Sequence, residues 1–183
     1  MKSPKPYEAA INQISLKAQY DLSSLQDFVL KEIIPKSVSN DDEQKFDHET
    51  TAGLYRLGLL NAITPKALGG KELPVSDLIA VACELGYGSA GVAATFIGNL
   101  LGYSAVVLYG KAELKQKVVS DFNKNFKLWS FAMTEKGCGS DLEKTGTRAR
   151  RVPGGFQLFG EKNFITNATY STDLSVFANV EKK

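Results

Sequence analysis

The chain has 183 residues, 43% of them hydrophobic and 23% charged, with a formal net charge of +2. That is apolar material for one ordinary domain or two small ones, and too little charge of either sign to demand nucleic acid as a partner. The two cysteines, Cys83 and Cys138, are far apart and His48 is the only histidine, which argues against a structural zinc site and against a Cys/His nucleophile pair.

The opening stretch, residues 1–22, lacks the unbroken apolar core and small-residue cleavage site of a secretory signal. The longest apolar runs read as short of a bilayer span. No membrane span and a cytoplasmic setting are therefore expected.

From about residue 20 the sequence predicts helices. "DLSSLQDFVLKEIIPKS" places Leu22, Leu25, Val29 and Ile33 at helical spacing, with Pro35 as a stop. "DHETTAGLYRLGLLNA" places Ala52, Tyr55, Leu59 and Leu60 on one side, with Asp47 as N-cap and His48 as a solvated helix-start residue. "PKALGGKELP" is a loop by its Gly and Pro content. "SDLIAVACELGYGSAGVAATFIGNLLGYSAVVLYGK" is apolar nearly all round, so its helices are expected to be buried among others, with Ser76 as N-cap and a turn around Gly86 and Gly88. Its small residues suit close helix approach. No GK[ST] follows and no strand precedes, so it is not read as a phosphate loop. "KAELKQKVVSDF" closes the set as a short amphipathic helix.

Near residue 128 the texture changes. "LWSFAMTE" alternates Trp129, Phe131 and Met133 against Ser130, Ala132 and Thr134, the period of a strand. "TGTRARRV" and "FQLFGEKNFITNA" flank Pro153-Gly154-Gly155, where Pro then Gly fits the centre of a type II turn. This is a hairpin candidate, and "TDLSVFANV" is a further strand. Arg148 and Arg150 share one strand face and Arg151 does not, the pattern of a solvated strand rather than a nucleic-acid patch. The fold class is therefore α+β. An all-α domain over 1–127 precedes an incomplete antiparallel β domain over 128–183, whose few strands leave edges unpaired.

The densest chemistry is "FAMTEKGCGSD", residues 131–141. Thr134 stands where the strand ends. Gly137 and Gly139 permit positive φ and close approach of a ligand to the backbone. Backbone N–H groups in such a turn can form an anion nest, and Ser140 can donate to a phosphate oxygen. A plain β-turn capped by Asp141 explains the same residues.

This run, followed by "GEKNFITNA" at 160–168, resembles the acyl-CoA dehydrogenase family. The first matches that family's aromatic-Ala-x-Thr-Glu-x-x-x-Gly-Ser-Asp pattern, and the second is similar to its Gly-x-Lys-x-Trp-Ile-Thr-Asn run. "ITPKALGGKEL" resembles its loop ending in Gly-Gly. In that family a helical domain leads into a middle β domain, and a C-terminal four-helix domain follows. The resemblance implies FAD as cofactor, with contacts from Phe131, Met133, Thr134, Gly139, Ser140, Phe164, Ile165 and Thr166. Phe164 would pack on the flavin ring, Thr166 would lie near N5, and Met133 and Thr134 would supply donors. Ser140 would mark where the CoA or pyrophosphate portion of an acyl-CoA substrate passes.

Two residues depart from the pattern. Phe164 stands where the family often has Trp, which removes an indole N–H. Cys138 sits inside the Gly loop and is read as a structural thiol. The resemblance also implies that the catalytic base comes from the C-terminal domain, so no catalytic residue is assigned here, and Glu135 is kept with the flavin loop. The complete unit would be a homo-oligomer that dehydrogenates an acyl-CoA at its α,β carbons. The alternatives are a non-catalytic relative that pairs through its open sheet edge, or part of a related acyl-CoA oxidase or flavin monooxygenase.

Overall fold

The structure is a computed structural model that describes residues 20–181. The expectation for the opening 22 residues falls almost wholly outside them.

Helix α1 (Ser23–Phe28) runs through a π turn (Val29–Ile33) into α2 (Ile34–Asp42). Leu25, Val29 and Ile33 recur every four residues and are buried, as their spacing predicts. Pro35, expected as a stop, is passed instead. The turn before it widens, so that Ile34 N–H bonds Val29 O five residues back. The proline ring then sits at the opening of α2, where a missing N–H removes no bond.

Helix α3 (His48–Arg56) is capped by Asp47, whose carboxylate accepts the Thr50 N–H at 2.9 Å. The helix stops at Arg56, so Leu59 and Leu60 enter the core from the following turn rather than from one helical face with Ala52. The buried side is instead Thr50, Thr51, Gly53 and Leu54. The loop after it carries a short 3-10 turn, Lys66–Leu68.

Helices α4 (Val75–Gly88) and α5 (Ala90–Tyr109) break at Ser89, whose hydroxyl accepts the Val92 N–H at 3.4 Å. Ser76 is not the cap of α4: the helix starts one residue earlier, behind Pro74. The expectation of burial on all sides is also corrected. Val75, Ile79, Ile97 and Leu101 are exposed and line an apolar groove of about 370 Å³ between the two helices. By length and hydropathy alone α5, at 20 residues with a mean hydropathy of 1.6 over an 18-residue window, is long enough to cross a membrane, contrary to the reading of its apolar run. Its contacts make it the central helix of the fold: Phe96, Asn99 and Tyr103 are fully buried against the neighbouring elements. Helix α6 (Ala112–Lys124) adds Val119 and Phe122 to the same core, as its amphipathic pattern predicts.

Strand β1 (Trp129–Ala132) lies directly on α5. Gly102 makes that contact possible, since a Cβ there would stand 2.6 Å from Ser130 O. Both faces of β1 are covered and Ser130 is fully buried, so the expected alternation of apolar and polar faces does not hold for burial. β2 (Arg148–Val152) and β3 (Gly155–Phe159) form the expected antiparallel hairpin. Its two-residue turn is Pro153-Gly154, with Gly154 at φ +83°, the type II value. The single strand expected at 172–180 divides into β4 (Asp173–Val176) and β5 (Asn179–Val180), which join different sheets. β4 pairs parallel with β1 and β5 parallel with β2. The fold class is α+β, and its sheets are mixed rather than purely antiparallel. Parallel pairing needs a crossover, and the long excursions between these strands supply it.

Candidate functional site

The site is built on the far end of β1. The strand is fixed from behind by Asn99 on α5, whose carboxamide accepts the Trp129 N–H at 3.0 Å and donates to Leu60 O at 2.7 Å. Beyond Ala132 the chain leaves the sheet, and Met133 and Thr134 lie half-buried at its end. There they meet the segment after β3: Thr134 O accepts the Asn163 N–H at 2.9 Å, and Met133 O accepts Lys162 Nζ at 3.0 Å.

Glu135 ties this junction together. Its Oε2 accepts the Gly146 N–H at 2.7 Å, and its Oε1 accepts the Thr147 N–H at 3.0 Å, the Thr147 hydroxyl at 2.5 Å and Lys162 Nζ at 2.7 Å. The side chains of Glu135 and Lys162 are each 11% exposed. The Lys162 ammonium, then the Thr147 hydroxyl, hold the Glu135 carboxyl down to a pKa of about 2. A carboxylate so fully engaged is a clamp, and it is a poor base at neutral pH.

The Gly-rich turn that follows closes on itself through two backbone bonds between Glu135 and Cys138, at 2.8 and 3.1 Å. Cys138 is buried and its thiol donates to Asp141 O at 3.0 Å, a structural arrangement. Neither Gly137 nor Gly139 adopts a positive φ, so that part of their rationale is corrected. Nothing lies within 4 Å of where a Cβ would stand on either. The chain itself does not require glycine at these positions, and the open space leaves the backbone free for a ligand to approach. Among the described residues, the Thr134 and Ser140 hydroxyls have no hydrogen-bond partner.

The second wall is residues 164–167. Phe164 and Asn167 both take left-handed backbone, at φ 55° and 68°, a conformation costing roughly 1–3 kcal/mol for such residues. The strain is held by anchors. Asn167 donates to Thr95 O at 2.9 Å and to Trp129 O at 3.3 Å, and Thr166 O accepts the Ser130 hydroxyl at 2.9 Å. The Thr166 methyl packs on Gly98 of α5, where a Cβ would stand 2.8 Å from it. The result is an aromatic ring pushed outward: Phe164 is 96% exposed. Folding alone gives no reason to hold a bare ring on a strained turn.

The structure thus brings Met133 and Thr134 together with the 162–166 segment. Phe131 lies further back on β1, edge-on to Phe177 with ring centroids 4.9 Å apart. Gly139 and Ser140 stand apart, on the exposed far side of the Gly turn. Sequence reasoning missed Lys162, Asn167 and Asn99. A lone Asn inside the apolar run "FIGNLLG" was a signal for the last. Among the described residues no group of three or more His, Cys, Asp or Glu side chains is placed to hold a metal.

A flat aromatic ligand with a polar rim fits this set of groups. Phe164 offers a ring face, Thr134 a free hydroxyl, and the open Gly turn with Ser140 a place for an anionic tail. A flavin dinucleotide has that form, and these residues would hold its ring and its phosphates.

Residues 21–124 match the family model described as acyl-CoA dehydrogenase, N-terminal domain, and residues 130–183 match acyl-CoA dehydrogenase, middle domain. The chain is 33% identical to the mitochondrial short-chain specific acyl-CoA dehydrogenase of Homo sapiens, over 88% of this chain and 39% of that protein. It is 32% identical to cyclohex-1-ene-1-carbonyl-CoA dehydrogenase of Geobacter metallireducens, over 86% of this chain and 42% of that one. Among solved structures, butyryl-CoA dehydrogenase from Megasphaera elsdenii superposes with a TM-score of 0.77 at 28% identity, covering 89% of this chain and 46% of that one. An acyl-CoA dehydrogenase complexed with FAD from Bacillus anthracis does so with a TM-score of 0.77 at 27% identity, covering 97% and 30%. The chain spans about 40% of the length of these curated relatives.

Proposed function

We propose, from the premise that the chain belongs to the acyl-CoA dehydrogenase family through its N-terminal and middle domains, that it supplies one wall of an FAD site for α,β-dehydrogenation of an acyl-CoA thioester. The observation that carries this reading is Phe164, a bare ring held outward on a strained turn, next in sequence to Asn163, whose N–H bonds Thr134 O. When bound, FAD supplies the hydride chemistry, and the protein supplies binding and orientation. In this division of labour Phe164 covers the ring, and Thr134 and the backbone at 133–134 donate to its polar rim. Gly139 and Ser140 pass the phosphate end. Thr166 fixes the level of the ring by its anchorage to α5 and β1, and Ile165 lines the ring beside it.

The reading divides the chain at 127/128, between its two family matches. It assigns no base within these residues, because Glu135 is clamped and the other site residues carry no carboxylate. It also includes a cytoplasmic setting, which the two free thiols suit. The test is the visible spectrum of the purified chain after FAD loading and dialysis, alone and mixed with a polypeptide carrying the remaining length of a relative. Weak flavin retention alone and firm retention in the mixture is the expected result. A stoichiometric, dialysis-resistant flavin band from the chain alone would refute the single-wall reading.

A second reading has its own support. Edge strand β3 is exposed along its whole length, with Phe156 and Leu158 uncovered. A relative that pairs with another chain through this edge would present such a strand. It predicts association without flavin, which the same mixture separates from the first reading.

A further inference from the structure

Lys162 makes two contacts of different kinds. Its ammonium lies 2.7 Å from Glu135 Oε1 and 3.0 Å from Met133 O. The Met133 carbonyl and the Thr134 N–H are the two ends of one planar, conjugated peptide group. A cation on the oxygen draws electron density through that group and leaves the N–H more positive, a better donor. The Lys162 side chain is one-tenth exposed, so water screens its charge weakly. The Thr134 N–H bonds to nothing among the described residues, whereas Thr134 O is already taken by Asn163.

We propose that Lys162 is a positioning residue that polarises the Met133–Thr134 peptide, so that the Thr134 N–H faces the candidate site as a strengthened donor for an electronegative edge of the ligand ring. Glu135 is the second part of the device. Bound by Gly146 and Thr147, it fixes the ammonium over the carbonyl and keeps it from turning to solvent. The identity of the ring rests on the flavin reading above, and the polarisation does not.

The test uses the full 183-residue chain, labelled with ¹⁵N, as wild type, K162M, K162R and E135Q. Two readouts are taken: the amide proton shift of Thr134 without ligand, and the dissociation constant for FAD. In K162M the Thr134 amide proton moves upfield by more than those of Ala132 or Ile165, and K162R restores most of the shift. The FAD dissociation constant rises about two- to tenfold in K162M, the size of one net hydrogen bond, and recovers in K162R. A merely structural lysine would move the neighbouring amides equally and would not distinguish charge from shape. The proposal is overturned if Thr134 stays in place in folded K162M, or if K162R shifts it as far as K162M. Should K162M not fold, E135Q decides, since it must move Thr134 in the same direction by less. If Thr134 follows the charge at position 162 while no protein in the set binds FAD, the flavin reading falls and the polarisation stands.

Discussion

Lys162 Nζ lies 2.7 Å from Glu135 Oε1, across 27 residues of sequence, and joins the bonds from Lys162 to Met133 O and from Asn163 to Thr134 O in holding the end of β1 against the segment that carries Phe164. The pH dependence of this contact follows from the carboxylate. Glu135 titrates at about 2 in the folded chain against an ordinary 4.5, so between those values unfolding takes up a proton. The stabilisation is complete above about pH 4.5 and is lost as the pH falls towards about 2. Urea midpoints of wild type and Glu135→Gln should therefore differ near neutrality and converge in acid. A gap that stays constant with pH would dissociate Glu135 from the clamp.

Gly102 and Gly139 should behave oppositely when changed to alanine. At Gly102 a Cβ meets Ser130 backbone at 2.6 Å, so α5 and β1 must separate. A loss of about 1–3 kcal/mol is expected, as for other overpacked sites. At Gly139 nothing lies within 4 Å, and stability should hold to about 0.5 kcal/mol while FAD binding weakens. Thermal melts and flavin titration of both variants check this, and equal melting losses would be the contrary result.

Asn99→Leu should destabilise the chain although it adds apolar volume to an apolar helix. The change strips partners from the Trp129 N–H and from Leu60 O, both served by this one carboxamide. Each buried group left unpaired costs about 1–3 kcal/mol. A urea midpoint equal to wild type would show that water or a shifted backbone satisfies them.

Much of this was legible in the sequence, and the rest failed for identifiable reasons. Asp47 as N-cap, the Pro153-Gly154 turn and the change from helix to strand near residue 128 rest on local chemistry, which the sequence carries directly. Pro35 misled because a π turn, a cooperative adjustment of the preceding residues, absorbs it. The exposed face of α4 and α5 was invisible, since composition reports apolarity and not what covers it. At the site, the motif residues were readable one by one. The bonds of Lys162 to Glu135 and of Asn167 to Thr95 join residues 27 and 72 apart in sequence, and no periodicity announces them.

The 183-residue chain should not dehydrogenate an acyl-CoA by itself. An acyl thioester gives up its α-proton reluctantly, and a positioned base is typically worth about 10²–10⁴-fold. Glu135, the carboxylate at the junction of β1 with the 162–166 segment, is occupied by four donors. A panel of acyl-CoAs of different lengths, added to FAD-loaded chain, should leave the flavin colour unchanged. Bleaching would show that a base exists here, and Glu135 and Glu161 would be the first to replace.

The most direct measurement is an FAD titration of wild type and Phe164→Ala, followed by flavin fluorescence, with urea unfolding run on the same samples. Phe164 is 96% exposed, so its removal should leave the unfolding midpoint where it was. If the ring is a flavin wall, affinity falls by about 0.5–1.5 kcal/mol, roughly two- to tenfold. Equal FAD affinity in the two proteins, or a loss matched by a loss of stability, would contradict the account.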